Sequence, residues 1–160
     1  MQTRLNFSNS SPEALNAMLG LETYLAKSGL ERSLIHLVKM RASQINGCAY
    51  CIDMHSKDAR SEGETEQRLY ALDAWRETPF YSARERAALA WTEALTLIAQ
   101  THAPDDVYEV ARSEFSEREL VSLTIAIVTI NGWNRISIGF RTEPGSYQPG
   151  HVPWANGGDP

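Results

Sequence analysis

The 160-residue sequence predicts an all-α, single-domain helical bundle of about six or seven helices. Three observations predict it. Apolar residues recur three or four positions apart and almost nowhere alternate over the length of a strand. Helix starts are written into the chain: Ser11-Pro12 marks one, and Ser82 with Glu85 and Ser116 with Glu119 fit the capping box. Only two cysteines and no internal repeat are present, so neither a disulfide framework nor a repeat array organises the chain.

The elements follow in order. A first helix starts with Ser11 as cap and Pro12 where its missing N–H costs nothing, and Leu15, Leu19 and Leu25 give it an apolar side up to Gly29. A second runs from about Glu31 to Asn46, with Leu34, Leu37, Val38, Arg41 and Ile45 along one side, and ends at Asn46-Gly47. The third starts near Cys48 and closes around Ser61 to Gly63. The fourth, Glu64 to Trp75, buries Leu69, Leu72 and Trp75 and stops before Thr78-Pro79. The capping box at Ser82 opens the fifth, to about Gln100, and Pro104 opens a short helix to about Arg112. Ser116 and Glu119 precede the last apolar run, 120–130. Its β-branched residues would suit a strand, but the cap and the lack of a partner strand make it a buried helix. Trp133 and Asn134 are expected to pack and cap at the turn after this run, or else to line a substrate pocket. The domain is expected to span residues 1–143, followed by an extended or mobile Pro/Gly-rich tail, 144–160, while His102 and His151 read as loop and tail residues.

Composition excludes several functions. The formal charge of −5 is spread over 20 acidic and 15 basic residues with no basic block, so the electrostatic footprint of a nucleic-acid binder is missing. The start, Met1 to Phe7, lacks the apolar segment of a signal peptide. The longest apolar-rich run is about half of the roughly 20 residues a membrane-spanning helix needs. A cytoplasmic protein is expected, and in a reducing compartment two cysteines separated by two residues point to redox or metal chemistry.

Cys48, Cys51 and His55 are spaced three and four apart at a predicted helix start, so their side chains share one face. A thiol is a poor nucleophile until it loses its proton, and a helix N-terminus stabilises the thiolate, most of all at Cys48. His55, one turn beyond Cys51, can take that thiol's proton directly or through a water. Peroxide would oxidise one thiolate to a sulfenic acid, which the other cysteine condenses into a disulfide for an external reductant to reopen. This chemistry needs no bound cofactor. Three other readings stand beside it: two packed buried thiols, a thiol–disulfide exchanger or redox sensor without peroxidase turnover, and a structural zinc site on Cys48, Cys51, His55 and His36.

The run from Met40 to His55, MRASQINGCAYCIDMH, resembles the core of the alkylhydroperoxidase D and carboxymuconolactone decarboxylase superfamily, and Asn131 to Ile136 is similar to the same small single-domain branch. The resemblance implies an all-helical fold, assembly into homotrimers or hexamers, and peroxidase activity where both cysteines are kept. Decarboxylase members lack the pair, which disfavours that activity here. By the family pattern Cys51 attacks peroxide, Cys48 resolves it and His55 relays protons, and relatives are reduced by a dihydrolipoyl carrier protein. His36 stands where the family commonly has a glutamate, twelve residues before Cys48. An imidazole there can still relay protons near pH 7 but cannot anchor a cation as a carboxylate does. The alternative for His36 is a half-buried histidine satisfied by a backbone group. The sequence therefore predicts a hydroperoxide-reducing dithiol enzyme with Cys51, Cys48, His55 and His36 as its catalytic set.

Overall fold

The computed structural model describes residues 2–150, and there every regular element is helical. The helices are α1 (Phe7–Ser10), α2 (Pro12–Ala26), α3 (Arg32–Asn46), α4 (Ala49–Ser61), α5 (Glu66–Ala71), α6 (Ala83–Thr96), α7 (Ile98–Thr101), α8 (Asp105–Glu114) and α9 (Glu117–Phe140), with a 3-10 segment, Leu72–Glu77, after α5. The count exceeds the six or seven expected because α1 and α7 are single turns with no apolar period to betray them.

Helix α3 occupies the centre and packs on α4, α6 and α9. Its Leu37, Val38, Ala42 and Ser43 are fully buried, and its length is set by Gly47, whose φ of 68° closes the helix. The core divides into three clusters. One lies between α3, α6 and α9 around Val38, Ala88 and Ile127. A second gathers Leu37, Leu72, Trp75 and Leu89, and the 3-10 segment serves it: three residues per turn put Leu72 and Trp75 on the same face. The third holds Leu15, Ala42, Ile130 and Trp133 together with Cys48 and Cys51.

Two sequence expectations are corrected. Ser11 precedes α2 but makes no side-chain cap bond, because α1 comes directly before it and the Ser11 N–H donates to the Phe7 carbonyl. The cap in this region is Asn6, which accepts from the Asn9 N–H at 3.0 Å. The last helix does not turn after Ile130 but continues unbroken to Phe140, so Trp133 and Asn134 are mid-helix residues. Asn131 is tolerated inside the helix because its amide donates to the Ile127 carbonyl at 2.9 Å and to Thr96. Gly132 is accommodated because Met18 of α2 packs where a β-carbon would stand, 3.0 Å away. The polar residues of this apolar helix are satisfied in the same manner: Thr129 bonds back to Ile125, Ser122 to Tyr24, and Thr124 accepts from the Trp91 indole.

The tail, expected to be extended or mobile, starts as a strap along α4. Asp53 accepts from the Gly145 N–H at 3.0 Å, Lys57 donates to the Gly145 and Tyr147 carbonyls, and the Tyr147 hydroxyl donates to Asp58 at 2.5 Å. His151 and the rest of the tail lie outside the described residues. No helix among the described residues is long and apolar enough to cross a membrane.

Candidate functional site

The tight Gly47 turn sets Cys48 at the N-cap of α4 in an extended conformation, its N–H donating to the Ser43 carbonyl at 2.9 Å. Cys51 follows one turn later. Both are free thiols and each is only 1% exposed. Helix α9 closes over them with Asn134 and Ser137, residues one turn apart that share a face. The Ser137 hydroxyl lies 3.9 Å from the Cys51 sulfur. Asn134, fully buried, donates to Ser43 at 3.0 Å and accepts from Asn46 at 2.8 Å, so its amide is fixed against the pair.

Two thiols this close share their first ionisation. The charge settles on Cys48, whose thiol is brought down to about 7. The main cause is the Cys51 S–H aimed at it; burial opposes, while the Cys51 amide, Asn134 and Ser137 assist. Cys51 is pushed up correspondingly, because its proton is held by Cys48 and burial disfavours a second charge. Cys48, though buried, is among the residues that line a cleft of about 420 Å³, with Tyr50, Ser137, Ile138, Arg141 and Pro144, whose Pro144 wall belongs to the strap. That volume is in the range of small-molecule sites.

His55 is on the same stripe of α4 and is buried, but neither ring nitrogen makes a hydrogen bond, to Cys51 or to any other described residue. The Asp58 carboxylate lies 3.9 Å from its Nδ1. Burial, aided by Lys39 and His36, holds the ring neutral well below its ordinary range. Lys39 is itself buried and paired with Glu22 at 2.6 Å, and Glu22 also accepts from the Trp133 indole. His36 sits farther along α3, with Glu62 Oε2 3.2 Å from its Nε2, near enough for charge attraction but not aligned as a hydrogen bond. The reading of His36 as satisfied by a backbone group fails, since neither of its buried nitrogens has such a partner.

The structure thus buries Cys48 and Cys51 in one core cluster, with His55 on the same stripe of α4 and His36 on the neighbouring α3. It does not converge these four on a metal: among the described residues no group of three or more His, Cys, Asp or Glu side chains is arranged to hold one. Sequence reasoning missed Ser137, Lys39, Glu22 and Glu62. The one available signal was the spacing Asn134 to Ser137, legible only once α9 is known to run through Asn131-Gly132.

Fold and site together define a helical protein built around a buried dithiol. The sequence pattern of the carboxymuconolactone decarboxylase family matches residues 12–94. An uncharacterized protein, YdfG, from Bacillus subtilis is 44% identical over 146 residues, 91% of this chain and 99% of its own length. Among solved structures, a protein of unknown function from Agrobacterium tumefaciens, suggested to be the antioxidant defence protein AhpD, is 50% identical and superposes with a TM-score of 0.88 over 91% of this chain and all of its own. An uncharacterized peroxidase-related protein from Silicibacter is 25% identical, with a TM-score of 0.76 over 88% of this chain and 75% of that one. The chain belongs to the carboxymuconolactone decarboxylase family, with the AhpD-like fold.

Proposed function

We propose that this protein is a cysteine-based peroxidase that reduces hydroperoxides through Cys48 and Cys51 in antioxidant defence. The observation that carries the reading is the Cys48 thiol, brought to about 7 by its partner and facing a cleft of small-molecule size. The suggested antioxidant role of the Agrobacterium protein and the peroxidase-related name of the Silicibacter protein support it.

The Cys48 thiolate attacks the terminal oxygen of ROOH. The O–O bond breaks, two electrons pass from sulfur to oxygen, and RO⁻ leaves with the Cys51 proton as ROH. The Cys51 thiolate then displaces hydroxide from the Cys48 sulfenic acid to form the disulfide, and a proton delivered through His55 completes water. The family pattern assigns attack to Cys51 and resolution to Cys48; the lining of the cleft by Cys48 supports the reverse order. A dithiol donor of the dihydrolipoyl kind reopens the disulfide.

The low exposure of both sulfurs favours a second reading, a disulfide exchanger or redox sensor that peroxide oxidises only slowly. Hydroperoxide consumption with dihydrolipoamide as donor separates them. Turnover that vanishes in Cys48→Ser and in Cys51→Ser, with a trappable sulfenic acid on Cys48 in the Cys51→Ser variant, is the expected result. A sulfenic acid trapped on Cys51 in Cys48→Ser alone restores the family order, and no turnover in the wild type leaves the exchanger.

A further inference from the structure

The cleft at Cys48 is apolar along most of its wall, through Ala49 and Tyr50 of α4, Ile138 of α9 and Pro144 of the strap, and Arg141 sets one cation into it. Arg141 stands at the C-cap of α9, where the helix hands over to the strap. Positions 134, 137 and 141 are spaced three and four apart, so the stripe of α9 that brings Asn134 and Ser137 to the dithiol ends at this residue, about 6 Å along the axis from Ser137. Its backbone is left-handed, with φ 59° and ψ 52°, a conformation that glycine adopts freely and a residue with a β-carbon does not. Gly47 closes α3 in the same way with the residue that suits it. The helix dipole alone does not account for an arginine here. A cation anywhere in the last turn meets the same carbonyls without a left-handed backbone, and Arg4 already donates to the Gly139 carbonyl at 3.1 Å.

Arginine in this chain is otherwise a pairing residue. Every other arginine except Arg118 holds a carboxylate or a backbone carbonyl, as Arg84 holds Glu31 and Glu119 and as Arg86 holds the carbonyls of Trp75 and Thr78. Arg118 is exposed to solvent, whereas Arg141 is half-buried on the cleft wall and its guanidinium has no ion pair or hydrogen bond among the described residues. The acidic groups on the strap side are committed elsewhere: Asp53 to Lys57 and the Gly145 N–H, Asp58 to the Tyr147 hydroxyl. Glu143 shares the cleft, but it is exposed and makes no ion pair with Arg141. A planar fork of N–H donors, matched to a carboxylate, thus stands open beside an apolar wall.

We infer that Arg141 is the anion anchor of the dithiol cleft, and that the ligands taken there carry a carboxylate on a compact apolar body. The apolar wall receives the body, the guanidinium holds the carboxylate through paired hydrogen bonds, and the far end of the ligand is left toward Cys48. An anion approaching a thiolate is repelled by it, so a site for acidic ligands needs a fixed cation in the same cleft, and a site for neutral ones has no use for it. The inference rests on the peroxidase reading for the ligand's reactive end: under that reading the preferred substrates are small organic hydroperoxides bearing a carboxylate, ahead of neutral alkyl hydroperoxides. Arg141 is then a specificity-determining residue that touches the substrate away from the reacting oxygen.

The test compares ligands that differ by one charge. Cumene hydroperoxide and its para-carboxylate are each offered to the full chain with dihydrolipoamide, a donor without charge of its own. In the wild type the carboxylated substrate is expected to have a kcat/KM about tenfold above the neutral one, chiefly through KM, a preference that Arg141→Gln abolishes and Arg141→Lys largely keeps. A second arm needs no turnover. 4-(Bromomethyl)benzoate and 4-(bromomethyl)benzamide alkylate Cys48, a sulfur–carbon bond replacing the carbon–bromine bond as bromide leaves, and the modified Cys48 peptide is quantified. The ratio of acid to amide rates cancels any change in the thiolate itself. It is expected to fall about tenfold in Arg141→Gln and to shrink with added salt in the wild type. Acid-to-neutral ratios no higher in the wild type than in Arg141→Gln would overturn the anchor. A wild type that consumes neither hydroperoxide, yet keeps an Arg141-dependent preference for the acid in alkylation, would remove the peroxidase reading and leave the anchor in place.

Discussion

At the scale of single residues, the site is a problem of where charge and protons sit in a dry volume. Cys48 ionises near neutral pH because Cys51, Asn134 and Ser137 surround it, and His55 stays neutral because burial and Lys39 oppose its charge. That neutrality has a consequence for stability. The folded His55 titrates below its ordinary value of 6.5, so the unfolded chain binds this proton first. Stability is therefore intact above that value and falls as pH drops through it, at about 1.4 kcal/mol per pH unit until the folded ring also titrates. Urea midpoints taken at pH 7, 6 and 5 are expected to fall less in His55→Gln than in the wild type; parallel declines would show that the ring is not held neutral by the fold. The Cys48, Cys51 and His55 grouping was legible from spacing alone, because one helix carries all three. Ser137 and Glu62 were not, because their places depend on how α9 and α3 pack against that helix.

At the scale of elements, local signals predicted most of the starts. Ser82 and Ser116 both form reciprocal capping boxes, the second reinforced by Arg84 on Glu119, whose carboxyl is drawn down to about 2 by the Ser116 contacts first and Arg84 after them. Ser11 has the same residue type before the same kind of apolar run, yet caps nothing, since the preceding turn of α1 has already taken up the chain. Ser82→Ala and Ser116→Ala should each cost about 1 kcal/mol, and Ser11→Ala close to none, in equilibrium denaturation. A loss at Ser11 equal to the other two would mean that α1 frays and Ser11 caps in solution. The misplaced end of the last helix has the opposite lesson: Asn131-Gly132 looks like a stop, and only the bonds to Ile127 and Thr96 and the fit of Met18 keep the helix going. The Thr96 and Met18 contacts come from α6 and α2, more than thirty residues away in sequence, where no local rule reaches.

At the scale of the whole molecule, one face is unaccounted for by the monomer. α9 buries Leu123, Ala126, Ile127 and Ile130 inward, but Val121 and Val128, two turns apart on one side, are 57% and 54% exposed. The notch beside Val121, between α8 and α9, is lined by Trp91, Tyr108, Leu120 and Ile125. Apolar surface set in a stripe along this long helix is the pattern of a contact between copies, and we propose that the protein is a homo-oligomer, a trimer or hexamer by its resemblance, joined through this side of α9. Burying a valine is worth about 1.5–3 kcal/mol, so placing a charge at both positions removes several kcal/mol from each contact and leaves a buried charge to be desolvated as well. Sedimentation of the wild type at micromolar concentration is expected to give a whole-number multiple of 17.9 kDa, and Val121→Asp/Val128→Asp to move the mass toward a single copy with helical circular dichroism retained. A wild type that sediments as one copy would dismiss the contact. An oligomer untouched by both charges would keep the assembly but move it to another face. The dithiol cleft is walled by the far end of the same helix, at Ser137 and Ile138, so dissociation would also be read in the Cys48 alkylation rate if the assembly steadies that end.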